Sequence, residues 1–182
     1  MDAEAATTRT LDAAEKLFYA KGIHAVGMDD IRDEAGVSLK RLYQLFPNKE
    51  RLVTAFLARR DVRWRGRLAA HVARAGDPDT RLLAVFDWLH AWFREPGFRG
   101  CAWVNSFGEL GATSPAVAAE ARRHKEAVRA YLRELVAAAN RPRELADHLF
   151  LLVEGATTSA AIGGSPAPAR QARAAAAALL GG

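Results

Sequence analysis

Lys40, Arg41 and Gln44 set hydrogen-bond donors close together on one short stretch, Leu39-Lys40-Arg41-Leu42-Tyr43-Gln44-Leu45-Phe46. At about 100° per residue, Leu42, Leu45 and Phe46 fall on one side of a helix over 39–46. Lys40 and Gln44 fall opposite, flanked by Arg41 and Tyr43. Such a helix packs by one face and offers donors from the other. Lysine and arginine donors suit the O6 and N7 acceptors of guanine, and a glutamine amide can pair bidentately with adenine. The plainer reading of the same residues is a solvated charged face.

The elements that must position this helix lie just before it. Ala35-Gly36-Val37-Ser38 supplies a small packing residue, a turn glycine, a buried anchor and an N-cap, as two helices meeting steeply through a tight turn require. Strand-like alternation is nowhere convincing, and Ala and Leu are abundant between helix start and stop signals. The expected fold is all-α, with nine helices at about 7–21, 28–35, 39–46, 49–74, 78–94, 101–110, 115–139, 142–162 and 166–180. Asp77-Pro78, Ser114-Pro115 and Ser165-Pro166 each place a capping oxygen before a proline, and Asn48 caps the helix that opens with Lys49. Gly22, Gly36 and Gly111 stand where helices stop.

Composition narrows the function classes. Half of the 182 residues are hydrophobic and 26% are charged, with a net charge of +5 and a pI near 9.8. The surplus is local: residues 38–60 hold Lys40, Arg41, Lys49, Arg51, Arg59 and Arg60 against Glu50 alone. The start carries Asp2 and Glu4 without an apolar core, so no secretory leader is expected. The longest apolar run, Ala174 to Leu180, is far short of a membrane span. The single Cys101 excludes an internal disulfide and a multi-cysteine zinc site and suits a reducing, cytoplasmic setting. No Ser-His-Asp order, GxSxG, P-loop, HExxH or GxGxxG is present, and the five histidines are scattered. Neither an enzyme nor a metal or other cofactor is therefore expected.

Three runs occur in order: Ala14-Glu15-Lys16-Leu17-Phe18-Tyr19-Ala20-Lys21-Gly22, then Met28-Asp29-Asp30-Ile31-Arg32-Asp33-Glu34-Ala35-Gly36-Val37-Ser38, then Leu42-Tyr43-Gln44-Leu45-Phe46-Pro47-Asn48-Lys49-Glu50. Over about residues 7–57 the chain resembles the DNA-binding domain of the TetR family of bacterial transcriptional repressors. A weaker likeness to one branch of that family surrounds Gly100-Cys101-Ala102-Trp103-Val104-Asn105 with Glu109. The resemblance implies an all-helical homodimer: a helix-turn-helix for operator DNA over 1–48, and an effector-binding and dimerisation domain over 49–182. In a helix-turn-helix the outward side chains of the second helix, here Lys40, Arg41 and Gln44, reach base edges, while Tyr43, Ser38 and Lys49 hold phosphates, as the family's pattern implies for the matching tyrosine and lysine. Thr7 and Thr8, expected at the first helix N-terminus, add a phosphate contact through exposed amides. Two departures matter. Gly27 stands where the family often has Thr or Ser as a cap, and Lys40-Arg41 stands where small residues are usual. The operator sequence therefore cannot be carried over.

Beyond residue 49 the reading leaves alternatives open. Leu82, Phe86, Leu89 and Phe93 form one stripe of the fifth helix, and Val85, Trp88 and Trp92 a second, so this helix is buried. With Trp64, Trp103 and Phe107, these aromatics either wall a cavity for a small, mostly apolar effector or fill the core. Cys101, Asn105 and Glu109 make a polar stripe that orients a ligand, faces solvent or caps a neighbouring helix. His124, inside an apolar stripe, is either a hydrogen-bonded core histidine or a ligand contact. Leu145, Leu149, Leu152, Ala156 and Gly163 mark one apolar face of the eighth helix and Phe150, Thr157 and Ala161 another, so that one can pack on the domain and the other on a partner. Ala175 and Leu179 lie on the Ala-rich ninth; in the family these helices form the dimer's four-helix bundle. Two alternative functions stand beside the DNA-binding repressor with an unknown small-molecule effector. One is a helical carrier or adaptor that no longer reads DNA, and the other is a regulator that senses through the Cys101 thiol.

Overall fold

The computed structural model describes residues 2–181. Among them it forms nine helices and no strand: α1 (Ala3–Lys21), α2 (Met28–Ala35), α3 (Leu39–Leu45), α4 (Lys49–Val72), α5 (Pro78–Phe93), α6 (Ala102–Leu110), α7 (Pro115–Ala138), α8 (Leu145–Gly163) and α9 (Ala167–Gly181). The all-α expectation holds, and most helices begin at the anticipated caps. The Arg51 N–H donates to Asn48 Oδ1 at 2.9 Å, that of Thr80 to Asp77 at 2.9 Å and that of Val117 to Ser114 at 3.2 Å. Two starts differ. Helix α1 begins at Ala3, four residues before the expected Thr7, because the Asp2 carboxylate accepts the Ala5 N–H of the first turn at 2.7 Å. At the other, Pro142-Arg143-Glu144 form a turn and α8 begins at Leu145.

Gly111 ends α6 for a reason other than the expected left-handed cap. Its N–H reaches the Phe107 carbonyl at 2.8 Å, and a Cβ there would stand 2.5 Å from that oxygen and 2.7 Å from the Phe107 ring. Glycine is needed for space rather than for φ.

Two compact units emerge, one holding residues up to Val62 with Ala102–Arg122, the other Arg63–Cys101 with Arg123 onward. This partition differs from a division at 48/49 in that the first part of α4, residues 49–62, and α6 join the first unit. In that unit α1 packs on α2 and α3, over buried Leu17, Phe18, Ile23, Val26, Ile31, Leu42, Leu52 and Phe56. The Phe18 and Phe56 rings lie 5.9 Å apart. In the second unit α5 packs on α8 and α9, and α8 on α9. Ala169, Ala172 and Ala176 are the buried face of α9, and such small residues allow close helix approach. Within the described residues, no helix is long and apolar enough to cross a membrane.

Arg141 ties the α7–α8 connection to the first turn of α5 by a two-pronged contact with Asp79, at 2.7 and 3.2 Å. This hydrogen bond holds the Asp79 carboxyl below its ordinary range. A depressed carboxyl contributes stability that is present above its unfolded pKa, about 3.9, and is lost as pH falls through the lower folded value. Asp79→Asn should therefore lower Tm at pH 7, with the difference from wild type shrinking below about pH 4. Thermal melts across pH 3–7 check this, and a difference independent of pH would contradict it.

Candidate nucleic-acid interface

The α2–turn–α3 segment is built for fixed placement of α3. Gly27 lacks a side-chain oxygen, and Asp30 takes over by accepting the Gly27 N–H at 2.7 Å. Ile31 and Ala35 bury one face of α2. Gly36 then adopts φ 61°, ψ 42°, a conformation glycine reaches without steric cost. A Cβ at Gly36 would also stand 2.6 Å from Arg9 Nη2, so the Arg9 guanidinium lies over the turn. Ser38 caps α3 by accepting the Arg41 N–H at 3.2 Å, and Leu42 and Phe46 anchor the helix from below.

What remains outside is the donor face read from the sequence. Lys40, Tyr43 and Gln44 are exposed and Arg41 is half-buried. Arg41 Nη1 donates to Gln44 Oε1 at 3.4 Å. Lys49, opening α4, is half-buried with its Nζ 6.0 Å from the Phe18 ring centre. Burial pushes its pKa below the ordinary lysine value, while the Glu109 and Asp30 carboxylates pull it back up. Of the cations in 38–60, Arg59 and Arg60 turn inward. Arg59 pairs with Asp12 at 2.9 Å and Glu15 at 3.1 Å; Arg60 pairs with Glu15 at 2.7 Å and stacks on Tyr19 at 4.1 Å. The outward surplus is thus narrower than the sequence count implies. Thr8 needs a correction: α1 starts at Ala3, so its amide lies past the orphan first turn, leaving its exposed hydroxyl and not a helix-terminal N–H.

Helix α6 belongs to the same unit, and Glu109 shows why. Its carboxylate accepts the Ile23 N–H at 2.9 Å and the His24 N–H at 2.7 Å, and its backbone carbonyl lies 3.0 Å from His24 Nε2. Of the readings open for Glu109, the structure places the carboxylate on the α1–α2 turn. Nearby, the Ser114 hydroxyl donates to Glu50 in the first turn of α4. Trp103 is buried, whereas Asn105 and Phe107 are exposed.

The remaining expected effector residues, Trp64, Phe86, Trp88, Leu89, Trp92, Cys101 and His124, lie in the second unit and are all buried. Trp64 meets Trp88 edge-on at 4.8 Å and Trp92 at 5.4 Å. Trp88 and Trp92 stack at 5.4 Å, and His124 faces Trp64 at 5.3 Å. The rings therefore pack on one another, with Phe98 against Trp92 as an unforeseen member. Cys101 has partners that spacing did not suggest: Lys125 Nζ lies 3.3 Å from its sulfur and 2.5 Å from Glu154.

The expected dimer residues divide. Leu145, Leu149 and Ala156 are buried inside their own unit, Leu152 is half-buried, and Gly163, Ala175 and Leu179 are exposed. The first three pack on their own chain because the helix face they share meets the rest of the unit. The exposed stripe of α8 runs instead through Leu151, Gly155, Thr158 and Ile162, with Leu151 64% and Ile162 84% exposed.

Comparison with known proteins agrees with this architecture. Residues 11–56 match the family described as bacterial regulatory proteins, tetR family, and residues 78–176 match the tetracyclin repressor-like C-terminal domain. The chain belongs to the TetR family of bacterial regulators. It is similar, at 32% identity over 122 residues, to an uncharacterised HTH-type transcriptional regulator of Mycobacterium tuberculosis, covering 64% of this chain and 59% of that protein. A crystal structure of a TetR-family transcriptional regulator from Streptomyces coelicolor superposes with TM-score 0.86 at 28% identity, over 97% of this chain and 95% of that one. The reduced form of E. coli NemR shares the fold, with TM-score 0.85 at 23% identity over 94% of each chain.

The Ile23 N–H is the most buried group that Glu109 satisfies. Glu109→Ala should cost about 1–3 kcal/mol, the penalty for stranding a buried donor, and should speed amide exchange at Ile23 and His24. Urea melts and hydrogen exchange check this; unchanged stability with unchanged exchange would show the contact to be dispensable.

Proposed function

We propose that this chain is a sequence-specific transcriptional regulator that binds operator duplex as a homodimer and acts as a repressor. A small, mostly apolar effector, bound among aromatic side chains that include Trp64, Trp88 and Trp92, lowers its operator affinity. The observation that carries the DNA-binding reading is α3 itself. Its apolar side is anchored through Leu42, and Lys40, Arg41, Tyr43 and Gln44 are left for a major groove. Lys40, Arg41 and Gln44 read bases, and Ser38, Tyr43, Lys49 and Thr8 hold backbone phosphates, which position without specifying.

The partner in the dimer is a second copy that covers the apolar stripe of α8. Leu151 and Ile162 are large exposed apolar side chains on a helix whose other face is buried, and Leu179 and Ala175 extend the exposed apolar surface on α9. Two-fold pairing would present two recognition helices to matching half-sites. The effector acts only through its difference in affinity for two states of the protein, so a hundredfold loss of operator affinity requires about 2.7 kcal/mol of coupling. A second reading rests on one contact. The Lys125 ammonium lies beside the Cys101 sulfur, which makes Cys101 a candidate site for a reactive electrophile. Iodoacetamide labelling of Cys101 that leaves operator affinity intact would dispose of that reading.

Gel-shift titrations with the DNA flanking the protein's own coding region test the function directly. Lys49→Ala should weaken all duplexes alike and flatten the log–log salt slope by about 0.9, whereas Gln44→Ala should change which bases are preferred. If Lys49→Ala altered base preference and Gln44→Ala did not, the assignment of phosphate and base contacts would be wrong. Light scattering should return twice the 19.8 kDa chain mass for wild type and the single-chain mass for Ile162→Glu. A wild-type monomer, or an Ile162→Glu dimer, would remove this interface.

A further inference from the structure

We infer that the operator half-site presents guanine to α3, and that Arg41 sets this preference by bonding to Gln44 Oε1, the one base-accepting atom on the central donor face, and placing its positive charge beside it. The inference rests on the DNA-binding reading above and goes beyond it by naming the base chemistry.

Lysine and arginine carry donors and no acceptor, whereas an amide carries both. On α3 the residues opposite buried Leu42 are Lys40 and Gln44, with Arg41 beside them. No carboxylate occurs from Ser38 to Lys49, so the N4 amine of cytosine and the N6 amine of adenine meet no anionic acceptor. The Tyr43 hydroxyl stands on the flank assigned to phosphate. Adenine recognition by Gln44 would therefore have to use Oε1 for N6 while Nε2 donates to N7.

Arg41 interferes with that geometry. Positions three apart are neighbours on a helix surface, and Arg41 Nη1 donates to Gln44 Oε1 at 3.4 Å. One of the two lone pairs of Oε1 is engaged, the amide nitrogen is left as a donor, and the guanidinium charge beside Oε1 disfavours the approach of an amine to the other. The face then consists of an ammonium, the remaining guanidinium donors and an amide NH₂. Guanine answers donors with two acceptors, O6 and N7; thymine offers only O4, adenine N7 beside an amine, and cytosine no acceptor. A face dominated by donors ranks guanine first.

Selection of bound duplexes from a random pool, at one fixed salt concentration, tests this with wild type, Gln44→Ala and Arg41→Met. The last variant keeps the aliphatic stem without the donors. The base position read by Gln44 is the one whose preference collapses in Gln44→Ala. Wild type is expected to select guanine there, and Arg41→Met to shift that position toward adenine by about tenfold in relative affinity, the scale of one bidentate base contact. Adenine already preferred by wild type at that position, or a preference that Arg41→Met leaves unmoved, overturns the inference while leaving DNA binding intact. A pool from which wild type enriches no sequence removes the DNA-binding reading itself, and this inference with it.

Discussion

The first unit depends on a carboxylate supplied from far along the chain. The α1–α2 turn holds backbone N–H groups beside the buried Ile23 and Val26, outside any helix that would satisfy them. Glu109, 86 residues downstream of Ile23, accepts two of those N–H groups. A buried donor left unmade costs more than an ordinary hydrogen bond gains, so this contact fixes where α6 must lie. The Ser114 hydroxyl on Glu50 adds a second tie between the same distant segment and the start of α4. This explains why residues 102–122 form one compact unit with the N-terminal helices rather than with their neighbours in sequence.

That constraint bears on recognition because α3 carries little of its own fixation. With only seven residues it is too short to be stable alone, and it holds its orientation through Leu42, the Ser38 cap and the Gly36 turn. Base readout needs side chains placed to within a fraction of an ångström. A change at the turn or at α6 therefore acts on the same packed unit as α3. In the proposed mechanism, α4 and α7 give the effector a covalent route to it, since each runs through both units.

Helix type, order and most caps were legible in the sequence because each rests on near-neighbour chemistry: Asp77 before Pro78, Asn48 before Lys49, Gly36 after Ala35. The donor face of α3 was legible for the same reason, as its periodicity is local. Contacts between distant residues were not. Nothing adjacent to Glu109 signals that it serves Ile23, and nothing adjacent to Arg59 signals Asp12 and Glu15. Which face of α8 packs on its own unit was not legible, because the helix is apolar on more than one side and periodicity alone cannot choose between them. The helix-terminal amide expected at Thr8 was lost on a boundary, since Asp2 caps α1 a full turn earlier than the apolar pattern suggested, which leaves Thr8 its side chain.

The central claim is that the outer face of α3, held by its turn and anchor, is the surface that meets DNA. Amide hydrogen exchange on the full-length protein, with and without a duplex enriched from a random pool, tests it most directly. The account predicts slowed exchange concentrated in residues 38–49 when duplex is added. Unchanged exchange across 38–49, with protection appearing elsewhere in the chain, would contradict it.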